Sequence, residues 1–140
     1  MATQNKTDID QLLADSLKQL ASKKLLEKIT IKEITDLAGV IRPTFYNHFQ
    51  DKFELLEWII KKELLEPVQP LIRNDMFTEA MLLLFTNIER DKAFYSHVVK
   101  LEGPVTFHSI ASKCVREVLL TIINEQMTGK ESKHKSVSYT

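Results

Sequence analysis

Residues 30–56 read TIKEITDLAGVIRPTFYNHFQDKFELL and carry the clearest local signals of the chain. Thr30 and Glu33 have the spacing of a capping box, in which two side chains satisfy free backbone N–H groups at a helix start. Gly39 is typical of a helix end, because glycine adopts the left-handed conformation without a Cβ clash. Pro43 suits the first turn of a second helix. The segment therefore predicts a helix-turn-helix, whose second helix enters the DNA major groove.

Helical periodicity continues on both sides of this segment, and the alternation typical of strands is absent. We expect a first helix from about Thr7 to Lys23, opened by a capping-box-like pair of Thr7 and Asp10. Asp51 and Glu54 form a third capping box. It opens a long helix that two following prolines are expected to end.

The C-terminal half is also helical in pattern. A helix over Met76–Arg90, capped by Asp75, is apolar around most of its circumference, which predicts a buried central helix. Two more helical segments follow. The chain turns polar after Gln126, which predicts a loop or a disordered end.

The composition supports an all-α fold. The 140 residues include three Gly and four Pro, which is few for a β-sandwich or a phosphate-binding loop fold. One cysteine excludes a disulfide framework within the chain and a thiolate-rich metal site. No apolar run approaches the roughly 18–20 residues of a membrane span, and the start lacks a signal-peptide pattern, so we expect a cytoplasmic protein.

Nineteen Lys and Arg residues balance nineteen Asp and Glu residues, so the formal net charge is zero. At first this balance argues against a nucleic-acid partner. However, no acidic residue lies between Asp36 and Asp51, and Arg42, His48 and Lys52 cluster in or beside that interval. Neutrality therefore predicts weak non-specific affinity and DNA binding that depends on a local patch.

The string I-x-x-x-A-G-V-x-R-x-T-F-Y-x-H-F-x-D-K-x-x-L-L, at residues 34–56, resembles the TetR family of transcriptional regulators. The resemblance covers about residues 7–60, and TFYNHFQDKFELLEW is most similar to the branch named for dihydroxyacetone kinase regulators. It implies an all-α protein with a helix-turn-helix DNA-binding head at residues 1–52. A helical effector-binding and dimerisation domain would occupy residues 53–140.

The resemblance also implies which residues contact DNA. Thr30 would bind a phosphate at a helix N-terminus, and Lys52 another at the start of the following helix. Six further residues lie on the recognition helix: Arg42, Pro43, Thr44, Tyr46, Asn47 and His48. The alternative is that the polar members are ordinary surface residues and that Tyr46 and His48 pack half-buried. Ile41 departs from the family, which has a capping Ser or Thr there, because Ile cannot cap a helix.

In the C-terminal half, the resemblance implies a small-molecule pocket among the helices. The candidate lining residues are Trp58, Met81, Phe85, Tyr95, His97, Phe107, His108 and Cys114. The alternative is that these side chains simply form the core. A zinc site at His97, His108 and Cys114 is disfavoured, because no two of them are three or four positions apart. We therefore predict no metal and no cofactor.

The predicted function is sequence-specific DNA binding that regulates transcription, controlled by a ligand or partner on the C-terminal domain. A homodimer would place two recognition helices about 34–36 Å apart on near-palindromic double-stranded DNA. Repression is the family's usual mode, but the branch also contains activators controlled by a protein partner. The alternative is a helical protein-interaction module, or such an activator without a small-molecule effector. Catalysis is not expected, because the motifs of phosphate-binding, zinc-protease and Ser/His/Asp enzymes are absent.

The length of the chain bears on the expected dimer. TetR-type proteins usually continue into two final helices through which they dimerise. This sequence stops at Thr140 in a polar stretch. The homodimer prediction therefore depends on whether those helices belong to a longer chain.

Overall fold

The structure is a computed structural model that describes residues 6–138, and within this range every regular element is helical. This confirms the all-α prediction. The α-helices are α1 (Lys6–Ala21), α2 (Ile31–Ala38), α3 (Arg42–His48), α4 (Lys52–Ile60), α5 (Gln69–Arg73), α6 (Phe77–Arg90), α7 (Lys92–Val98) and α8 (Phe107–Ser138). Shorter helical turns are a 3₁₀ turn at Leu26–Lys28, a π turn at Lys61–Leu65 and a 3₁₀ turn at Glu66–Val68. We call α1–α3 the head and α4–α8 the body.

The predicted signals around α2 are confirmed. The Thr30 hydroxyl accepts the Glu33 N–H at 3.1 Å, and the Glu33 carboxylate accepts the Thr30 N–H at 3.1 Å. Gly39 ends the helix with φ +74°, the left-handed conformation, and its N–H bonds to the carbonyl of Thr35. The Thr35 side chain is buried and bonds back to the carbonyl of Ile31 at 3.0 Å. Local chemistry thus fixes both ends of this helix.

The structure corrects the first capping prediction and half of the third. Helix α1 already begins at Lys6, and the Asp10 carboxylate lies 2.7 Å from His48 instead of capping the helix. The side chain of Thr7 lies outside the described residues. Asp51 accepts the Glu54 N–H, as expected. The Glu54 carboxylate accepts the N–H of residue 50 instead of the Asp51 N–H that a capping box requires.

Three helix ends also differ from the prediction. Asp75 does not cap α6; it has a φ of +58°, and Met76 precedes the helix without a side-chain cap. Pro67 does not stop the chain from remaining helical, because it lies at the start of a 3₁₀ turn where its missing N–H has no helical partner. The polar segment after Gln126 continues α8 to Ser138. This segment contains no proline and several good helix formers.

A continuous apolar core joins the head to the body. Its members come from both parts: the head contributes Leu13, Leu17, Ile34, Phe45 and Phe49, and the body contributes Leu56, Ile59, Phe94, Val98 and Cys114, among others. Helix α1 packs against α2 and α3 within the head and against α4 and α7 of the body. The head therefore does not rest on a separate core of its own.

Helix α6 is not the buried central helix that its composition predicts. Ala80 is its buried residue, while Leu82 and Phe85 are 64% and 61% exposed. Leu84 and Ile88 pack half-buried against the core. The prediction was wrong because the described helices cover α6 on one side only, whereas its apolar residues extend around the helix.

Within residues 6–138, no helix is long and apolar enough to cross a membrane.

Gly39 offers a test of the helix-turn-helix geometry. Gly39→Ala should destabilise the protein by about 1–2 kcal/mol, because an L-residue is strained at its positive φ. The matched control is Gly129→Ala within α8, where alanine is favoured over glycine by about 0.5–1 kcal/mol. Urea denaturation of both variants would measure the two effects. Equal stability changes in the two variants would contradict the turn assigned to Gly39.

Candidate DNA-binding surface

Helix α3 presents one apolar side inward and one polar side outward. Phe45 is fully buried and Phe49, just after the helix, is 5% exposed. Their rings lie 6.0 Å apart, within the range of favourable aromatic pairs. Because a helix repeats every 3.6 residues, burial of these positions turns Arg42, Tyr46 and Asn47 to solvent. The structure therefore brings most of the predicted recognition residues onto one exposed face.

The start of α3 is regular although it lacks a side-chain cap. Ile41 is extended and 68% exposed, and its carbonyl accepts the Thr44 N–H at 3.0 Å. Pro43 lies in the first turn, where it has no N–H that needs a partner. Ile41 therefore offers an exposed apolar group beside Arg42. Within the described residues, Arg42 forms no ion pair, so its guanidinium is available to a ligand.

His48 is held by a residue that the sequence analysis assigned to a helix cap. Its Nδ1 lies 2.7 Å from Oδ1 of Asp10, and the two side chains are 15% and 9% exposed. This pair ties the last turn of α3 to α1, across 38 positions of sequence. Of the two ring nitrogens, Nε2 remains for an external group. The pairing could not be found from spacing, because it depends on how α1 crosses α3.

Lys52 has a different environment from the one that the resemblance implies. Its ammonium donates to three backbone carbonyls of the α1–α2 connection, those of Leu26 at 2.7 Å, Glu27 at 3.2 Å and Ile29 at 2.8 Å. An ammonium has three N–H donors. All of them are therefore engaged, and burial lowers the pKa of Lys52. As the structure stands, Lys52 orders this connection and has no donor left for a phosphate.

The Thr30 site is also internally satisfied. Its hydroxyl donates to Glu33 at 3.2 Å while it accepts the Glu33 N–H. Lys24 binds the same carboxylate, and this hydrogen bond, followed by that from the Thr30 N–H, lowers the pKa of Glu33. A negative Glu33 at the start of α2 competes with a phosphate for the positive end of the helix dipole. Thr30 is exposed, but the hydroxyl must reorient to bind one.

The predicted pocket residues do not share one of the cavities described for the body. Trp58 packs against Phe49 with ring centroids 6.4 Å apart. Cys114 is buried, and burial raises the pKa of its thiol to about 11. Their surroundings fall into three kinds: Tyr95 is buried and Phe107 and His97 are half-buried, whereas Met81, Phe85 and His108 are exposed.

A cavity of about 480 Å³ lies instead between α4 and the start of α8. It is bordered by Phe53, Glu57, Ile110 and Lys113, among others. None of the eight candidates lines it. Among the residues that the structure describes, no group of three His, Cys, Asp or Glu side chains is placed to hold a metal ion.

Residues 15–59 match the family model described as bacterial regulatory proteins, tetR family. These residues include the C-terminal part of α1 and all of α2 and α3. This stretch is therefore similar to the N-terminal region of TetR-family regulators. The matched stretch ends within α4, so the family model covers most of the head and the first helix of the body up to residue 59.

Two similar proteins match this chain over a longer stretch than the family model does. The HTH-type dhaKLM operon transcriptional activator DhaS of Lactococcus lactis subsp. lactis (strain IL1403) is 26% identical over 92 residues, which are 66% of this chain and 49% of that protein. This chain thus spans about half the length of the relative. A solved structure, dihydroxyacetone kinase operon activator DhaS, has a TM-score of 0.57 and 24% identity, and the match covers 86% of this chain and 67% of that chain. At this identity the second comparison shows the fold alone.

Lys52→Met tests whether Lys52 serves the fold. The change keeps an unbranched side chain but removes the donor to three carbonyls, so the free energy of unfolding should fall by about 1–3 kcal/mol. Urea denaturation measures it. The control is Lys62→Met, because Lys62 is exposed and pairs with Glu66 at 3.5 Å, a contact worth about 0–1 kcal/mol. Unchanged stability, with a DNA-binding salt slope lowered by about one, would instead support the phosphate role.

Proposed function

We propose that this chain is a bacterial transcriptional regulator that binds a specific duplex DNA sequence through α3 and acts in the cytoplasm. The observation that carries the proposal is the exposed polar face of α3 within a TetR-type head. Polar side chains on a helix that enters the major groove read base edges and phosphates. The activator named for the Lactococcus relative supports a role in transcription, rather than catalysis.

We assign different roles in DNA binding to the residues in and just before α3. Arg42 and Asn47 have the donors and acceptors that recognise guanine and adenine edges. Thr44 and the exposed Ile41 stand close enough to the helix start to meet a base edge or a thymine methyl. Tyr46 is 54% exposed, so its hydroxyl can reach a phosphate. Pro43 sets the geometry of the first turn rather than donating a hydrogen bond.

Two proposed phosphate contacts are less direct. His48 would donate through Nε2 while Asp10 holds the opposite nitrogen. The Thr30 hydroxyl would donate to a phosphate only after its hydrogen bond to the Glu33 carboxylate is broken. Lys52 is assigned to the fold instead. The proposed interface therefore depends on few groups, in keeping with a chain whose formal net charge is zero.

Exposed apolar side chains on α6 and on α8 support a homodimer. They are Phe77, Met81, Leu82 and Phe85 of α6 and Val115, Leu119, Leu120, Ile123 and Met127 of α8, and we call them together the exposed apolar surface. Large apolar patches on soluble proteins mark interaction sites. We propose that a second copy covers this surface and that the two heads then bind the two halves of a near-palindromic site.

The same surface favours a second candidate, control by a protein partner. The relative is named an activator, and the cavities described in the body do not gather the predicted pocket residues. An activator regulated by a partner protein on α6 and α8 accounts for both observations. Control by a small molecule remains the first candidate through the cavity between α4 and α8, whose lining includes Glu57 and Lys113.

Arg42 provides the test of sequence recognition. Selection of bound sequences from random duplex DNA should enrich a near-palindrome. Arg42→Ala should weaken binding to that duplex by about 1–3 kcal/mol, roughly 5- to 150-fold, because a bidentate base contact is lost. Fluorescence anisotropy measures the affinity. Arg73→Ala is the control, because Arg73 lies in α5 and pairs with Glu125. If no palindrome is enriched, the protein-interaction module becomes the better reading.

Leu82 and Leu120 test the dimer surface. The double variant Leu82→Lys with Leu120→Lys should shift the protein from dimer to monomer, because two charges would be buried without partners. Sedimentation equilibrium at micromolar concentration measures the mass. Glu79→Lys with Asn124→Lys adds lysines at exposed polar positions of the same helices and should leave the dimer intact. A monomeric parent protein at these concentrations would contradict the proposed homodimer.

A further inference from the structure

Four polar side chains from separate elements meet between the head and the body. We call them the Lys18 cluster: Lys18 of α1, Glu63 of the π turn, Asp91 between α6 and α7, and Tyr95 of α7. The Lys18 ammonium lies 2.5 Å from Glu63 and 2.6 Å from Asp91. The Tyr95 hydroxyl donates to the second carboxylate oxygen of Glu63 at 3.1 Å. Lys18 of the head is thereby bound directly to two segments of the body, and Tyr95 holds one of its partners, Glu63.

Burial makes these contacts stronger than ordinary surface pairs. The side chains of Lys18 and Glu63 are 17% and 24% exposed. Burial alone would lower the pKa of Lys18, but hydrogen bonds to Asp91 and Glu63 outweigh it and raise that pKa. Burial, with the neighbouring Glu63 carboxylate, raises the pKa of Tyr95. At neutral pH, Lys18 therefore stays charged and Tyr95 remains a hydrogen-bond donor.

The cluster lies on a break in helical regularity. Glu63 is the middle residue of the π turn Lys61–Leu65, which continues directly from α4. Turns of this kind are rare within helices and are frequent at functional sites. The Asn87 amide donates to the backbone carbonyl of Glu63 at 3.2 Å, so α6 also holds this turn. The π turn is thus bound from the head side and from the body side.

Apolar packing defines the head orientation less strictly than these polar contacts do. Leu13 and Leu17 join the common core, but the hydrophobic effect is non-directional and tolerates small shifts between helices. Charge-assisted hydrogen bonds require specific distances and directions. Polar contacts also reach the α1–α2 connection: the Glu102 N–H, after α7, donates to the Glu27 carboxylate at 2.9 Å, and Lys52 of α4 donates to three carbonyls there.

We propose that the Lys18 cluster is a latch that fixes the orientation of the head on the body, and that release of Lys18 from Asp91 passes a change in the body to α3. The second part rests on the proposed function. Asp91 is suited to this role because it lies where α6 meets α7, next to a cavity of about 320 Å³ bordered by Glu63, Asn87 and Arg90. A rearrangement of α6 or α7 would move Asp91 away from α1.

The test compares three variants of the whole chain. Lys18→Met removes the ammonium and keeps the side-chain length, and Asp91→Asn removes one charge with little change in shape. Lys62→Met is the control, because it breaks an exposed pair within one helical segment. Spin labels at Lys32→Cys in α2 and Glu79→Cys in α6 report the head–body distance by pulsed electron resonance. Cys114 is retained, since it is buried and its pKa is raised to about 11.

Labelled chains are diluted into unlabelled chains so that distances within one molecule dominate. Both latch variants should broaden or shift the distance distribution, while the control keeps that of the parent. Affinity for the selected duplex should fall by about 5- to 150-fold, the usual range of coupling between sites. A folded Lys18→Met protein with the parent's distance distribution would overturn the latch. A changed distribution with unchanged affinity would overturn its coupling to DNA.

The two readouts separate this inference from the proposed function. If the parent protein selects no duplex, the DNA-binding proposal fails together with the coupling, and the distance distribution measured without DNA still decides the latch. If the Lys18→Met protein does not fold, the distance distribution of Asp91→Asn tests the latch. We expect this variant to fold, because Lys18 stays paired with Glu63.

Discussion

Burial of Phe45 is the constraint on which the candidate DNA-binding surface depends. This ring is fully enclosed by the head core. Because α3 is only two turns long, one buried position fixes the rotation of the whole helix. Phe49, four residues later, extends the same apolar side. The outward direction of Arg42 and Tyr46 follows from the helical period, and any rotation that moved them inward would expose an aromatic ring.

Some polar groups around this core form hydrogen bonds that stabilise the head, and others face the solvent. The sequence pattern predicts a helix cap for Asp10, and the resemblance implies a phosphate contact for Lys52, yet both have partners in the head. Lys52 donates to three carbonyls of the α1–α2 connection. Arg42 is left as the cation of α3 without an ion pair in the described residues. In a chain of zero formal charge, this separation concentrates recognition on few side chains.

The body has exposed apolar side chains on α6 and is joined to the head by the polar Lys18 cluster. Helix α6 contributes little to the core, and its exposed Leu82 and Phe85 adjoin polar residues in an open groove. Lys18 holds α1 to the C-terminal end of α6 through Asp91. The exposed apolar side chains of α6 and the contact between Lys18 and Asp91 thus lie on the same helix.

The sequence by itself determined the helical class and the ends of α2. These features depend on residues within one or two turns of each other, as in the pair Thr30 and Glu33, so local spacing is sufficient to predict them. The tertiary structure decided the roles of Lys52 and His48, the exposure of α6 and the Lys18 cluster. Their partners lie between 23 and 73 positions away. Which groups meet at such separations depends on how the helices cross, and no local pattern in the chain encodes it.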